Sequence, residues 1–511
     1  MIVTNQFDRL TGLLDRLTGR VTMYRLVVIV LATISAIAII LSLIPDGLAF
    51  SPTQLLATLV VALLSTVLSS RLFALIFRVT THTESTLITG LLIFLLFFPT
   101  TVTTSLLVLA LVCVIASASK YLLAIRARHI FNPVAIAAVI IAFTQLSAAV
   151  WWVGTPYLLA PVIIGGFLVV YRTRRFALVG LFIGLALVLS ITRLTLGGAD
   201  FGQAVWLSIG SSPILFFACL MLDEPLTLPP LRWQQLLVAV IAAVVMEVPF
   251  NFWVFYSSPE LGLVVANIVA FCFGQRRSIP LDFVSTRRLT PGTHELTFAP
   301  ARGVRFRPGQ YMELTLPHAK ADARGARRVF SVTSAPGSGH VSFGVKVPEV
   351  ASTYKRALTE LAPGTRVRAT SVGGDFVLPR DTTVPLLLVA GGIGVTPFVS
   401  HLRHLRHIGE ARDVVLVYSV RSHEELAYAD ELESSGVPVF ILAPTPPTSL
   451  PRGWSYLGAG HLDATMLADR VPRLTSRSAY VSGPPAMVNS LKRDLRALGL
   501  RRVKTDYFSG Y

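Results

Sequence analysis

The sequence changes character sharply near residue 273, and this change limits the possible folds more than any other feature. Up to Phe273, apolar runs alternate with short polar loops, whereas from Gln275 onward the chain has the mixed charge of a soluble protein. The boundary lies in the segment GQRRSIP, Gly274 to Pro280. Because 511 residues are too many for one ordinary core, we expect a membrane domain followed by soluble domains.

The apolar half contains ten segments near the length of about 20 residues with which a helix crosses a bilayer. These segments are residues 26–45, 53–70, 84–99, 103–119, 133–150, 157–171, 176–192, 204–222, 234–250 and 259–274. The third and sixth are short, and short spans often line a site. The pattern predicts an N-terminal segment over residues 1–24 and a polytopic α-helical membrane domain over residues 25–275.

The positions of the basic residues predict the orientation of these spans. The net charge of +17 is compatible with nucleic-acid binding, but much of the excess lies in loops between apolar segments. If the N-terminus is cytoplasmic, the outside loops carry only Arg193 of the Lys and Arg residues before Ser278. The inside loops carry Arg9, Arg16, Arg20, Arg25, Arg71, Arg78, Lys120, Arg126, Arg128, Arg172, Arg174, Arg175, Arg232, Arg276 and Arg277. This bias predicts an integral protein of the cell membrane, in contact with lipids, without a nucleic-acid partner, and with a cytoplasmic soluble half.

The soluble half begins with a strand-like motif, Arg328-Val329-Phe330-Ser331, which follows RPGQYMEL. Side chains two residues apart on a strand point to the same face. Arg328 can therefore pair with a diphosphate while Phe330 packs against a flavin, and Ser331 can donate a hydrogen bond toward the flavin ring. The alternative is an ordinary strand with a surface arginine.

A second motif, Ala351-Ser352-Thr353-Tyr354, opens a helical run, and PGTRVRATSVGGDF follows it. A hydroxyl at the start of a helix is usually an N-cap. The functional alternative is that Ser352 and Thr353 bind a phosphate at the helix N-terminus.

The third motif lies in PLLLVAGGIGVTPFVSHLRHL, from Pro385 to Leu405. A buried strand enters the glycine-rich turn Gly391-Gly392-Ile393-Gly394, and Thr396-Pro397 begins a helix. Glycines allow backbone N–H groups to approach a pyrophosphate, and proline is favourable early in a helix.

Two later strands follow the same plan. Residues 414–419 lead to Arg421, and residues 479–481 lead to Ser482-Gly483-Pro484. Alternating strands and helices predict a parallel sheet that binds its ligand at the carboxyl ends of the strands.

In order, the motifs RVFS, AST, GGDF, GGIGVTP and SGPPAM, with a terminal aromatic segment, resemble the ferredoxin–NADP reductase superfamily over residues 279–511. The resemblance implies an FAD-binding β-barrel at 279–380 and an α/β NAD(P)-binding domain at 381–511, with NADH or NADPH as the donor. On the barrel, it implies flavin contacts by Arg328, Phe330 and Ser331 and diphosphate contacts by Ser352 and Thr353. In the second domain, it implies that Arg421 lies near the adenosine. The nicotinamide cleft is expected at Gly391, Gly392, Gly394, Thr396, Pro397, Gly483 and Pro484.

The resemblance also implies the residues closest to the chemistry. Ser482 stands where many relatives have cysteine, and the terminal TDYFSGY matches an acidic-x-aromatic pattern through Asp506 and Phe508. Tyr507, Phe508 and Tyr511 are alternatives for covering the flavin ring, and Ser331, Ser482, Asp506 and Phe508 are the catalytic candidates. Hydride passes from nicotinamide to flavin, so no general base is required. The three cysteines cannot supply four closely spaced thiolates, so no metal centre is expected.

Four polar patches of the membrane half resemble the NqrB/RnfD family, the membrane proteins shared by sodium-pumping NADH:quinone reductase and the Rnf complex. The patches are Thr81–Pro99, His129–Pro133, Met221–Thr227 and Ser258–Gly262, the last leading to Asn267. The resemblance implies ten spans in two inverted five-helix repeats and a bound flavin. The family's flavin-attachment threonine loop is missing between Pro133 and Pro156, so a second flavin would be non-covalent. The acceptor is then a flavin, a quinone or a group across the membrane.

Two other functional classes compete with this interpretation. A haem-containing ferric reductase needs paired axial histidines within spans, whereas this half has only His82 and His129, both at loop edges. A transporter regulated by a redox-sensing reductase module would use Asp223, Glu224 and Glu247 near span ends as ion ligands.

Overall fold

The computed structural model describes residues 14, 18 and 21–508, except 46, 80–81, 126–127, 254, 274–277, 319–325, 350 and 448. The chain splits into two compact units, Val21–Arg276 and Arg277–Tyr511, the latter together with Met1–Arg20. Most of the predicted segment 1–24 lies outside the described residues, as do Arg9, Arg16, Arg20, Arg126, Arg276, Arg277 and Tyr511.

The first unit is a helical bundle around one apolar core. Its helices are α1 Met23–Leu41, α2 Pro52–Ile76, α3 Thr83–Leu96, α4 Thr103–Leu122, α5 Pro133–Phe143, α6 Pro156–Thr173, α7 Phe176–Leu196, α8 Phe201–Gly210, α9 Ile214–Phe217, α10 Arg232–Glu247 and α11 Pro259–Cys272. A π-helical turn, Ala218–Leu222, continues α9. Two short hairpins, β1 Ala124–Ile125 with β2 Arg128–His129 and β3 Asn251–Phe252 with β4 Phe255–Tyr256, precede α5 and α11.

Among the described residues of this unit, six helical segments are long and apolar enough to cross a membrane. They are α1, α2, α4, α6, α7 and the segment Phe201–Leu222, in which α8, α9 and the π-helical turn follow one another. The prediction that the sixth segment is short was wrong, because α6 has 18 residues. The other predicted segments fall on shorter helices, α3, α5, α10 and α11, with 14, 11, 16 and 14 residues.

The fifth predicted segment, 133–150, ends as a helix at Phe143 for a reason that lies elsewhere in the chain. The backbone N–H groups of Val150 and Trp151 donate to Leu96 O, and Trp152 Nε1 donates to Phe94 O at 2.7 Å. These bonds satisfy carbonyls at the C-terminus of α3 that have no partner within their own helix. The residues after α5 therefore cap another helix instead of extending α5.

The order of elements in the first unit repeats. In each half, four helical segments are followed by a two-stranded hairpin and a short helix that begins with proline. Asn132 caps α5 before Pro133, and Ser258 caps α11 before Pro259. Proline suits the first turn of a helix because its missing N–H would have no partner there.

The second unit contains an antiparallel barrel with the strand order β8-β7-β10-β5-β6-β9. Its strands are β5 Ser278–Thr290, β6 Thr293–Pro300, β7 Tyr311–Thr315, β8 Arg327–Ser331, β9 Val341–Lys346 and β10 Arg366–Gly373. A bridge between Val332 and Phe343 closes the barrel, and α12, Thr353–Thr359, contributes Tyr354 to its core.

The same unit contains a parallel sheet with the order β14-β13-β12-β11-β15-β16. Its strands are β11 Leu386–Gly391, β12 Val414–Ser419, β13 Val439–Leu442, β14 Trp454–Gly458, β15 Ser478–Gly483 and β16 Val503–Tyr507. The helices are α13 Thr396–Ile408, α14 Ala429–Ser434, α15 Ala464–Arg470 and α16 Pro485–Ala497. The predicted parallel sheet is confirmed, and its strand order reverses between β11 and β15, where such sheets bind ligands.

Candidate functional site

The carboxyl ends of β11 and β15 approach each other so closely that only glycine fits between them. A Cβ on Gly394 would lie 2.5 Å from Ser482 O, and one on Gly391 would lie 2.7 Å from Met487 Cε. Gly392 has a φ of +54°, and α13 begins at Thr396 with Pro397 in its first turn. The predicted glycine-rich turn, which we call the glycine cradle, therefore packs tightly against its neighbours at Gly391 and Gly394 and has open space at Gly392.

Ser482 supplies a polar group to this cradle. The residue is fully buried, and its hydroxyl has no hydrogen-bond partner among the described residues. Because an unsatisfied buried hydroxyl costs about 1–3 kcal/mol, this position suits a ligand that offers a hydrogen bond. The carboxamide of nicotinamide has that chemistry.

Asp506 and Phe508 lie on the same edge of the sheet as Ser482. Asp506 is the register partner of Ser482 on the neighbouring strand β16, and Phe508 N donates to Gly483 O at 2.9 Å. Burial raises the pKa of Asp506 to about 6. The predicted residues Ser482, Gly483, Asp506 and Phe508 thus form one cluster, whereas Tyr511 lies outside the described residues.

On the barrel, Arg328 and Phe330 lie on the same face of β8. The Arg328 guanidinium is 5.0 Å from the centroid of the Tyr354 ring, and the Phe330 ring stacks on Tyr354 at 6.3 Å. Val329 points the other way and is 57% exposed. Ser331, at the end of β8, is buried. No role was predicted for Tyr354, although this residue directly follows the Ser352-Thr353 pair.

The start of α12 has the N-cap that was predicted as one of two alternatives. Ser352 is an N-cap, since its Oγ accepts a hydrogen bond from Lys355 N at 3.3 Å. Thr353 Oγ1 lies 3.0 Å from His318 Nε2, and His318 Nδ1 lies 2.9 Å from Leu316 O. His318 was not predicted, and no motif marks it.

Hydrogen bonds join the segment just after β8 directly to α13, the helix that follows the glycine turn. Ser400 Oγ donates to Ser334 O at 2.8 Å, and Arg403 Nη1 donates to Thr333 O at 3.2 Å. These carbonyls lie just after β8, and both donors lie on α13. The fold thus brings together the RVFS and GGIGVTP motifs, which are about 60 residues apart.

Arg421 lies apart from this cluster, in the loop after β12, and is exposed. Pro484 directly precedes α16, beside Gly483 with its φ of +154°. Both sides of the site fit the expected cofactors. The barrel offers a guanidinium, an aromatic ring and hydroxyls for a flavin with its diphosphate, and the sheet offers the glycine cradle with the Ser482 hydroxyl.

The helical unit contains a separate, partly open pocket with a cavity volume of about 40 Å³. Its polar lining comes from Ser85, Thr89, Asn132, Asp223 and Glu224, and the rest is mainly apolar. Asn132 Nδ2 donates to Glu224 at 3.0 Å, and Asn132 N donates to Asn267 Oδ1 at 2.8 Å. The patches around residues 129–133, 221–227 and 267 therefore meet in space.

Asp223, Glu224 and Glu247 of the helical unit each have a basic partner. Arg175 pairs with Asp223 at 3.1 Å, His129 lies 3.3 Å from Glu224, and Arg193 lies 3.5 Å from Glu247. Among the residues that the structure describes, no group of three or more His, Cys, Asp or Glu side chains could hold a metal ion.

Comparisons with known proteins agree with the reductase fold. Residues 388–493 match the model of the oxidoreductase NAD-binding domain family. The chain is 31% identical over 253 residues to the aromatic O-demethylase reductase subunit of an Amycolatopsis species, covering 46% of this chain and 70% of the relative. The chain belongs to the ferredoxin–NADP reductase-type family of NAD(P)H-dependent flavoprotein oxidoreductases, and its cofactors are FAD and NAD(P)H.

Other relatives are similarly distant. The propane 2-monooxygenase reductase component of Rhodococcus jostii is 28% identical over 245 residues, which cover 45% of this chain and 64% of that protein. Ferredoxin–NADP reductase B of Sorangium cellulosum is 34% identical over 154 residues, covering 30% and 62%. The chain thus spans less than two thirds of these two relatives. The crystal structure of the Amycolatopsis cytochrome P450 reductase GcoB aligns with a TM-score of 0.39 at 25% identity, covering 46% of this chain and 70% of that one.

Proposed function

We propose that this protein is a membrane-bound oxidoreductase that passes electrons from cytoplasmic NAD(P)H through FAD to an acceptor in or across the membrane. The proposal depends on the presence of two different units in one chain. One is a ferredoxin–NADP reductase-type unit, and the other has, among its described residues, six helical segments long and apolar enough to cross a membrane. The basic residues of the inside loops support a cytoplasmic reductase, the side on which NAD(P)H is available.

In the reductase, the chain's own residues bind and align the two cofactors. Arg328 would neutralise the FAD diphosphate, Phe330 would pack against the flavin ring, and Ser331 would donate a hydrogen bond toward it. Ser352 and Thr353 would provide hydroxyls for the diphosphate. The chemistry that FAD would supply when bound is uptake of a hydride and release of single electrons. This arrangement assigns residues 279–380 to FAD and residues 381–511 to NAD(P)H.

The glycine cradle, Gly391, Gly392 and Gly394, with Thr396 and Pro397, would border the nicotinamide. Ser482 would donate its hydroxyl to the carboxamide, and Gly483 and Pro484 would complete the wall of the cleft. Phe508 would lie toward the flavin ring, Asp506 would set the charge beside it, and Arg421 would lie toward the adenosine. Tyr511, which is outside the described residues, stays a sequence-based candidate for a flavin contact.

The pocket of the membrane unit is the candidate site for the next electron carrier, a non-covalent flavin or a quinone. Its polar groups are few and lie within an apolar wall, as is usual for binding sites of planar ring systems. The repeated element order and the four polar patches support a relative of the NqrB/RnfD family, with residues 25–275 as its ten-span membrane domain.

This proposal can be tested with the full-length protein in lipid nanodiscs. Mass spectrometry of extracted cofactors counts the flavins, and rapid mixing with NADH or NADPH follows reduction and then reoxidation by a soluble quinone. For Asn132→Ala we expect unchanged FAD reduction but reoxidation slowed by about tenfold, the equivalent of one lost hydrogen bond. The control is Asn251→Ala on the exposed hairpin.

A protein that oxidises neither NADH nor NADPH with any artificial acceptor would contradict the whole proposal. Equal reoxidation rates for Asn132→Ala, Asn251→Ala and the unaltered protein would exclude the pocket as the acceptor site.

A further inference from the structure

The connection between the barrel and the parallel sheet runs from residue 374 to residue 385, and side chains bind each carbonyl of its first four residues, 374–377. We call residues 374–377 the linker. The bonds are Gln310 Nε2 to Gly374 O at 2.9 Å, Lys504 Nζ to Asp375 O at 3.2 Å, His401 Nε2 to Phe376 O at 3.1 Å, and Tyr480 Oη and Lys504 Nζ to Val377 O at 2.9 and 2.8 Å. Four successive main-chain carbonyls thus accept hydrogen bonds from side chains instead of from main-chain N–H groups.

The side-chain donors come from four different parts of the reductase unit. Gln310 directly precedes the barrel strand β7, whereas His401, Tyr480 and Lys504 lie on α13, β15 and β16 of the parallel sheet. The bonds from Gln310, His401 and Tyr480 are buried or partly buried, whereas the two bonds from Lys504 are exposed. The linker is therefore fastened to both layers of the reductase at once.

His401 is the most enclosed of these donors. It is fully buried, and the Phe376 and Tyr480 rings lie 6.3 and 6.2 Å from its own. A Cβ on Gly309, which has a φ of +84°, would collide with both His401 Nε2 and Phe376 O. Burial lowers the pKa of His401 to about 3, so the ring is neutral at physiological pH and its Nε2–H donates.

Each donor from the sheet also lies close in sequence to the nicotinamide cleft. His401 lies five residues after Thr396 on α13, Tyr480 lies two residues before Ser482 on β15, and Lys504 lies two residues before Asp506 on β16. A shift of the linker would move the barrel relative to these three elements. The linker therefore sets the distance between the flavin side and the nicotinamide side of the site.

We propose that His401, Tyr480 and Lys504 are positioning residues for hydride transfer, which act by holding the linker and so fix the flavin barrel over the nicotinamide cleft. This inference rests on the FAD and nicotinamide sites of the proposed function. Hydride transfer is sensitive to such alignment, since a misplacement of about 1 Å can slow a reaction about 100-fold.

The test uses single-turnover reduction of FAD by NAD(P)H in the full-length protein. We expect His401→Leu, which removes the donor, to slow hydride transfer by about 10- to 100-fold. His401→Gln places an amide N–H near Nε2 and should stay within about threefold of the unaltered protein, and His407→Leu, on the exposed side of the same helix, is the control. Tyr480→Phe removes only a hydroxyl and should slow the step by about threefold or more.

Two further readouts separate positioning from general damage. The primary isotope effect with 4-deuterated NAD(P)H should rise in His401→Leu and Tyr480→Phe, while the FAD dissociation constant and the half-saturating NAD(P)H concentration should change less than about twofold. Unchanged transfer rates in both variants would overturn the inference, as would a slowing that occurs only together with FAD loss and is not rescued by His401→Gln. If the unaltered protein fails to reduce its FAD, the proposed function itself is wrong.

Discussion

At the scale of single residues, the surroundings of Asp506 change the acidity of its carboxyl group. Asp506 is the register partner of Ser482, whose hydroxyl has no partner in the described part of the chain, and burial raises the pKa of Asp506 to about 6. A raised pKa means that the folded protein favours the protonated acid. The associated stabilisation is complete at low pH and is lost as the pH rises through about 6.

The same titration should appear in the reaction. We expect the single-turnover rate of hydride transfer to change with a midpoint near pH 6, because ionised Asp506 places a negative charge beside the nicotinamide cleft. In Asp506→Asn this transition should disappear, whereas Asp469→Asn, on the surface of α15, should keep it. A transition near pH 6 that persists in Asp506→Asn would assign it to another group.

At the scale of elements, an ion pair joins β6 to α13. Arg403 Nη1 and Nη2 bind the two carboxylate oxygens of Glu295 at 2.7 and 3.2 Å, and Thr333 Oγ1 donates to the same carboxylate at 2.8 Å. Burial alone would raise the pKa of Glu295, but Arg403 and Thr333 hold it below its usual value. This pair is two residues from His401 and ties the barrel to the same helix.

A double-mutant cycle measures this connection. We expect Glu295→Gln and Arg403→Met to show a coupling of about 1–3 kcal/mol in the free energy of unfolding, because each removes one side of a largely buried bidentate pair, while Arg287 still contacts Glu295 and Glu431 still contacts Arg403. The exposed bidentate pair Arg366 and Asp282 is the matched control, and its coupling should be much smaller. The coupling should weaken as the pH falls through the lowered pKa of Glu295. Equal couplings for the two pairs would contradict this prediction.

At the scale of the whole molecule, the positive-inside pattern predicts which loops face the cytoplasm. The loop after α2 contains the exposed Arg78, and the hairpin between α10 and α11 contains Trp253, which is 86% exposed. With both termini inside, these two loops lie on opposite sides of the membrane.

Cysteine labelling in intact cells tests this topology. In a background with Cys272→Ser, which removes the exposed native thiol, we expect Trp253→Cys to react with a membrane-impermeant maleimide from outside. Arg78→Cys should react only after the cells are opened. The reverse pattern would place the reductase outside the cytoplasm.

Local sequence was enough to predict the glycine turn, the strands around it and the parallel sheet. Gly391 and Gly394 are required by short-range sterics, and the buried strands have continuous apolar runs. The same holds for the order of the apolar segments. These features depend on neighbours in the chain, so the amino-acid sequence by itself determined them.

The tertiary structure decided everything that depends on distant partners. Helix α5 is short because the residues after it cap α3, and Tyr354 supports Arg328 and Phe330 across the barrel. In the sequence, His401 is an ordinary polar residue of an amphipathic helix. Its role as a hydrogen-bond donor depends on Phe376 O of the linker, which only the tertiary structure places beside it. No local sequence pattern predicts such contacts. A buried donor needs an acceptor carbonyl from another part of the chain, and only the packing of separate elements brings the two together.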